Sequence, residues 1–398
     1  MKKSLVYLLV VGSLLGAGFA QADEKELPEV FQGFTWNSQI TISYDDLDAL
    51  LDATVLDVGM SDRSSAKSSS TIGTRMRSSK NSDTAFEANR FIFEELKKST
   101  VKDAFHDIRV SLEQVPSEIA MSELKTQEQL AYWLNLYNIA LLETLISEYP
   151  IHDMEDELTG TDSILDRKFL NVAGHSLSLN DIQHNIVYKK FGDKPIVMYG
   201  FYQGNIGSPS LNPEPYTGDR VYHQLEHRAE EFINSNRGVV PAKKNTLEVS
   251  RFYEQSKALF ANFDNDLKKH LSVFANADIR SDVKQAKRIN TDIENWSITD
   301  IYGTARTYGA GAATNNAAML DSVVSNSSKP IGGEGSGSGI GATNLSALSD
   351  QIASRTVNFG RFTPEQLELV QKLNMARKEN LGTVEISDLP TKSDESKN

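Results

Sequence analysis

The sequence has no cysteine among its 398 residues, which excludes disulfide bonds and any chemistry that needs a thiolate. Positive charge is also scarce, because 41 basic residues face 54 acidic ones and leave a formal net charge of −13. Such a surface repels nucleic acid and anionic lipid, so neither is a predicted partner. Stability must therefore come from a hydrophobic core.

Long apolar runs are absent from the chain after its first 22 residues. Those residues, MKKSLVYLLVVGSLLGAGFAQA, have two lysines, a short apolar core and small residues at Ala20 and Ala22. This pattern is typical of a secretory signal peptide cleaved after Ala22, the alternative being an uncleaved anchor. We expect a soluble periplasmic or secreted protein with no membrane span after cleavage. Its predicted partner is a protein or a small-molecule ligand of unknown identity.

Composition divides the chain into segments. Residues 1–22 form the predicted signal peptide, and residues 23–83 hold a helix from about Ser43 and a Ser-rich loop. Residues 84–303 have the apolar periodicity of a folded domain. Residues 304–347 are a predicted Gly/Ser/Ala linker, and residues 348–398 hold a helix with Thr363 as its N-terminal cap and an acidic tail. A linker of this kind has little to bury, so we expect a chain truncated near Tyr302 to fold.

The folded domain is predicted to be built on one long helix, from Thr126 to Pro150, with the sequence TQEQLAYWLNLYNIALLETLISEYP. Its apolar residues go most of the way round the helical wheel, which is typical of a helix buried on nearly every side. Thr126 and Gln129 fit a capping box at its start, and Pro150 cannot continue it.

Four polar residues share one arc of this helix: Glu128, Tyr132, Asn135 and Asn138. A buried amide is unfavourable unless its donors and acceptors are paired, so both asparagines need fixed partners. Either these amides tie neighbouring loops to the helix, or the arc lines a site. In the second case Asn135 and Tyr132 are candidate binding residues.

The pattern downstream predicts a hairpin about Ala173-Gly174, a helix capped by Ser178 and Asp181, and a buried strand from Ile196. The predicted fold class is therefore α+β, a mainly helical domain with a small sheet that includes Ile196 to Tyr202. A papain-like or transglutaminase-like architecture is an analogy, since those folds also pack a long helix on a sheet.

Four short motifs occur in order along the domain: AYWLNLYNIAL (131–141), HSLSLNDIQH (175–184), GNIGSPSL (204–211) and ENWSI (294–298). Together they resemble the domain-of-unknown-function 547 family over roughly residues 84–301. The activity of that family is not established, so the resemblance implies architecture more than chemistry.

The resemblance also implies a site that this chain has altered. Family members typically carry a Cys-Pro pair in the loop after the buried strand, and often another cysteine and a histidine nearby. In this sequence Ser208-Pro209 takes the place of the Cys-Pro pair, Gln203 that of the other cysteine, and Met198 that of the histidine. We therefore expect a binding or interaction module that has lost the family's thiol, with Gln203 among the binding candidates.

The alternative is a hydrolase or acyl-transfer enzyme. Ser208 lies in a Gly/Pro loop where a backbone could present a nucleophile, and His184 is the first candidate for its base. His175 is the second candidate base and otherwise a binding residue, and Asn138 could orient the imidazole. The competing interpretation is that Ser208 is an ordinary turn serine.

One further motif, YHQLEH, gives the H-x-x-E-H order of some zinc peptidases through His223, Glu226 and His227. The helical wheel argues against a metal site, because Leu225 lies on the buried stripe and both histidines face the opposite side. We predict no metal site and no cofactor. The same helix is expected to expose Glu231.

Overall fold

The computed structural model describes residues 27–63, 83–84, 87–97, 101–151, 153–242, 245–301 and 360–381. The predicted signal peptide, most of the Ser-rich loop, the predicted linker and the acidic tail lie outside these residues.

Helices dominate the described part of the chain. They are α1 Asp45–Thr54, α2 Phe93–Lys97, α3 Val101–Glu118, α4 Thr126–Glu148, α5 Met154–Thr159, α6 Tyr188–Phe191, α7 Val221–Ile233, α8 Phe252–Gln255, α9 Phe263–Phe274, α10 Ala277–Gln285 and α11 Pro364–Leu381. Among the described residues, none of these helices is long and apolar enough to span a membrane.

The strands are short and form three small sheets. They are β1 Val55–Leu56, β2 Arg90–Phe91, β3 Leu170–Val172, β4 His175–Leu177, β5 Val239–Ala242, β6 Thr246–Ser250 and β7 Arg288–Ile293. β1 pairs with β2 and β3 with β4, both antiparallel. In the third sheet β6 is central, antiparallel to β5 and parallel to β7. The predicted mainly helical α+β class is confirmed.

The central helix α4 is confirmed as the hub of the core. Buried residues occupy its whole circumference over residues 128–142, as expected from apolar positions on every side of the wheel. The predicted capping box is wrong. The helix begins after Lys125 without a side-chain cap, because Gln129 instead donates through Nε2 to the carbonyls of Met121 and Leu124 at 2.7 and 3.1 Å.

Two other predicted caps are confirmed. Ser178 and Asp181 bond each other's backbone N–H groups at 3.0 Å, and the following turn, Asp181–Val187, is π-helical before α6 begins. Thr363 and Gln366 form the same reciprocal pair at the start of α11. Reciprocal capping satisfies donors that a helix start leaves without partners.

The predicted strand from Ile196 to Tyr202 is wrong. Pro195–Gly200 forms a 3-10 helix, and Phe201 to Gln203 continue as extended chain outside any sheet. A continuous apolar run does not distinguish a buried strand from a buried helical turn. Pro195 favours the helical turn, because proline is accommodated at the first helical position. Ile40 to Ile42 are also irregular, although both isoleucines are buried.

The C-terminal segment docks on the core. Arg361 is 5 % exposed and makes a bidentate ion pair with Asp46, both contacts 2.8 Å long. Its guanidinium also donates to the Ser43 carbonyl and the Ser111 hydroxyl at 3.0 Å. Phe362 is buried beside it, so residues 360–381 contribute to the folded core.

Candidate functional site

The two asparagines of the polar arc each clamp a loop by its backbone. Asn135 donates to the Tyr216 carbonyl at 2.7 Å and accepts from the Tyr216 N–H at 2.9 Å. Asn138 donates to the Gly200 carbonyl at 2.9 Å and accepts from the Tyr202 N–H at 3.2 Å. Both amides are therefore used as two-point ties between α4 and the chain that follows the 3-10 helix, as a buried amide requires.

A small cavity lies beside these clamps, between α1, α4 and the chain around Tyr216. Its lining includes Asn135, Asn138, Asn212 and Glu214, with leucines closing the apolar side. Its volume is about 10 Å³, which is room for about one water molecule. A ligand larger than water does not fit.

The loop of residues 203–212, here called the family loop, is buried along its whole length. Ser208 is 1 % exposed, and its hydroxyl donates to the Asn205 carbonyl at 3.0 Å. This local bond closes a turn, which is ordinary serine behaviour. The hydroxyl is therefore not exposed to solvent.

The closing motif ENWSI holds this loop from the other side. The Ile206 N–H donates to the Ser297 carbonyl and the Gly207 N–H to the Asn295 carbonyl, both at 2.9 Å. Asn205 also forms an antiparallel bridge with Ile298. The structure thus brings together the third and fourth motifs, although 82 residues lie between them in the chain.

Beneath the family loop lies a fully buried ion pair between Arg237 and Glu231. Arg237 donates to the carbonyls of Ile206 and Ser208 and, at 3.0 Å, to the Ser210 hydroxyl. The expectation that Glu231 is exposed is wrong, because it sits only six residues before Arg237 and turns inward to pair with it. A buried charge needs such a partner.

His184 lies on the π-helical turn, with its ring edge-on to Tyr188 at 5.1 Å between centroids. Burial lowers the pKa of this imidazole, and nearby Asp166 acts in the opposite direction. Within the described residues no hydrogen bond joins His184 to Ser208, whose hydroxyl bonds Asn205, or to Asn138, whose amide is taken by backbone. The catalytic assignment of Ser208, His184 and Asn138 stays a prediction.

The remaining candidate binding residues have separate surroundings. Tyr132 is buried and donates to the Leu112 carbonyl at 3.1 Å. Gln203 is buried and donates to Gln255 at 2.9 Å. His175, on β4, is exposed and packs its ring against Phe31 at 5.3 Å. Of these three, only His175 can meet a ligand from solvent without a rearrangement.

The H-x-x-E-H motif lies on α7 with His223, Glu226 and His227 all exposed, as the helical wheel indicates. Within the part of the chain that the structure describes, no group of three or more His, Asp or Glu side chains is arranged to hold a metal ion.

One residue of the polar arc was given no role from the sequence. Glu128 is 6 % exposed and accepts a long hydrogen bond from the Ile42 N–H at 3.4 Å. Burial, together with the nearby charge of Asp219, raises the pKa of this carboxyl to about 7. Gly218 packs against it, and a Cβ there would lie 2.3 Å from Glu128 Oε1 and displace the carboxyl. The signal was its place on an otherwise apolar helix.

These features define a mainly helical α+β protein whose central helix holds two loops through buried amides and whose most characteristic loop is closed to solvent. Residues 121–233 match the model of a family described as "Protein of unknown function, DUF547". The resemblance seen in the motifs is thereby confirmed over that part of the chain. No curated protein and no solved structure matches the sequence.

Proposed function

We propose that this chain is an exported, non-catalytic binding module in which the family loop is a structural part of the core. The observation that carries the proposal is the state of Ser208, which stands at the family's cysteine position. Its hydroxyl is buried and is engaged with a carbonyl of its own loop. A nucleophile needs a base within about 3 Å and access to a substrate.

The surroundings of the loop support the same proposal. Its backbone is bonded on one side to residues 295–299 and on the other to Arg237. Removing any of these partners would leave buried polar groups without bonds, which is unfavourable. A loop anchored in this way is held rigid, which suits a structural role better than a catalytic one.

Labelling with a fluorophosphonate, a broad serine-reactive probe, tests the proposal. We expect the purified protein and the Ser208→Ala variant to show the same background labelling, as does a Ser176→Ala control at an exposed position. Labelling of the wild-type protein that is lost only in Ser208→Ala would overturn the proposal and restore the hydrolase alternative with His184 as base.

A further inference from the structure

Two large aromatic side chains stand exposed together in residues 31–39, here called the aromatic loop. Trp36 is 81 % exposed and Phe34 41 %, with ring centroids 5.0 Å apart and planes at 79°. The other two tryptophans, Trp133 and Trp296, are buried and half-buried. Single exposed apolar residues are common, whereas adjacent exposed rings mark interaction sites.

The exposure of these rings does not come from a loosely held chain. The Thr35 N–H donates to the Leu124 carbonyl at 3.1 Å and the Thr35 hydroxyl to the Ser122 carbonyl at 2.9 Å. The Gly33 carbonyl accepts from Gln129 at 3.1 Å and from the Lys190 ammonium at 3.0 Å. Gly33 also has φ +71°, which a side chain would disfavour. The rings are therefore presented by an anchored backbone that loses little freedom on binding.

The segment that carries the rings is itself uncharged, and the nearby Lys190 ammonium is bonded to its backbone carbonyls. Residues 30–44 contain no charged side chain in a protein that is 24 % charged. Three exposed amides flank the rings: Gln32, Asn37 and Gln39. Gln32 and Gln39 use their Nε2 groups in bonds to Leu27 and Asn37 carbonyls, which leaves their amide oxygens as acceptors for a ligand.

We propose that the aromatic loop binds a neutral, hydroxyl-rich glycan. The apolar C–H face of a sugar ring can pack on Trp36 and Phe34, while the amides of Asn37 and Gln32 exchange hydrogen bonds with its hydroxyls. An ionic ligand finds no opposite charge in residues 30–44. A stable protein interface needs about 800 Å² from each partner, more than two side chains provide.

The inference rests on the proposed binding role, but its test is independent of the serine probe. The full chain lacking only the predicted signal peptide is titrated with cellohexaose, maltohexaose and hexa-N-acetylchitohexaose, and acrylamide quenching of tryptophan fluorescence is measured. Because Trp36 is the most exposed of the three tryptophans, a bound glycan should protect the readily quenched fraction. Affinities of variants are measured by calorimetry.

We expect at least one hexasaccharide to bind, and Trp36→Ala to weaken it about tenfold or more. Trp36→Tyr should stay within about threefold of wild type, because a flat ring is kept. Phe169→Ala is the matched control, since Phe169 is 38 % exposed elsewhere on the surface, and it should leave the affinity unchanged. Thermal midpoints verify that each variant is folded.

Three outcomes would overturn the inference. One is that no hexasaccharide protects Trp36 at millimolar concentration; another is binding that survives Trp36→Ala. The third is protection of Trp36 by phosphatidylglycerol vesicles, or by raising the protein concentration, in place of sugar. That result assigns the rings to a lipid surface or to a second copy of the chain. A failure here leaves the serine-probe result unaffected, so the two proposals fail separately.

Discussion

The family loop and the aromatic loop are both anchored by hydrogen bonds, yet they present opposite surfaces. In the family loop residues 203–212 are all buried, and the Ser208 hydroxyl bonds inward. In the aromatic loop the backbone bonds inward through Thr35 and Gly33, while Trp36 and Phe34 point outward. Anchoring alone therefore does not identify a functional loop; what the anchored loop exposes does.

The contrast also separates family resemblance from function. The motif GNIGSPSL carries the family resemblance, but every residue of it is buried. The segment FQGFTWNSQ lies outside residues 121–233, the part that matches the family model, and carries the exposed rings. A motif shared by a family can be shared for packing, and a binding surface can lie beside it.

The largest loss of stability should come from removing the positive charge of Arg237, which lies beneath the family loop. Arg237→Ala leaves Glu231 buried without its partner and frees two carbonyls of the loop, and we expect a loss of about 3–5 kcal/mol of unfolding free energy. Chemical denaturation measures it. Arg220→Ala is the control, because its pair with Glu214 is half-exposed and should cost less than about 1 kcal/mol. Equal effects would contradict the account.

The chain that follows the aromatic loop is held by the C-terminal segment, and cutting that contact is the next largest test. Arg361→Ala removes the bidentate pair with Asp46 and the bond to the Ser43 carbonyl. We expect a loss of about 2–4 kcal/mol, and a similar loss on truncation near Tyr302. A truncated chain as stable as the full one would show that residues 360–381 add nothing to the core.

Glu128 allows a test by pH of the region beside the aromatic loop. The N–H of Ile42, just after that loop, donates to the Glu128 carboxyl. Its folded pKa is raised from 4.5 to about 7. The folded state thus favours the protonated form, and stability present below pH 4.5 is lost as pH rises through 7. Glu128→Gln should therefore match wild type at pH 4.5 and exceed it by about 2–3 kcal/mol at pH 8.

When the pH dependence of stability in Glu128→Gln is compared with that of the wild type, the contributions of most other titrating groups cancel. Asp219 and Lys125, the charges that act on Glu128, are present in both proteins. A difference between variant and wild type that stays constant from pH 4.5 to 8 would mean that the carboxyl ionises normally in the folded state.

Asn138 should give the smallest of the stability effects. Asn138→Ala frees the Gly200 carbonyl and the Tyr202 N–H at the entry to the family loop, at a cost of about 1–3 kcal/mol. Asn138→Asp should be at least as unfavourable, because a buried carboxylate must stay charged or take up a proton. Asn185→Ala, which removes an exposed amide bonded to Asp181, is the control. An unchanged denaturation midpoint in Asn138→Ala would mean that the amide is solvated.

Much of the scaffold was predictable from local patterns. The extent of α4, the Ala173-Gly174 hairpin and the Ser178 and Thr363 caps follow from periodicity and from capping residues a few positions apart. The 3-10 helix at Pro195 was missed, because an apolar run fits a buried strand equally well.

The features missed around the site depend on long-range contacts. The ion pair of Arg237 and Glu231 lies under a loop whose position is set by residues 295–299. No pattern in the neighbouring sequence predicts this pair. The raised pKa of Glu128 comes from its burial and from the charge of Asp219, which lies 91 positions away in the sequence. Trp36 could not be predicted as a surface residue, because the periodic patterns that predict helices and strands contain no signal for an exposed ring.

The family loop is closed to solvent while the aromatic loop is open, and the cysteine-free sequence permits a direct test of this difference. Single variants Ser208→Cys and Trp36→Cys each introduce the only thiol of the chain. Their rates of reaction with a thiol reagent are compared in native buffer and in denaturant. We predict that Cys at position 36 reacts at the unfolded rate and Cys at position 208 about 10³-fold slower or more, limited by opening of the fold. Rapid native labelling at position 208 would contradict the account and reopen the family loop as a reactive site.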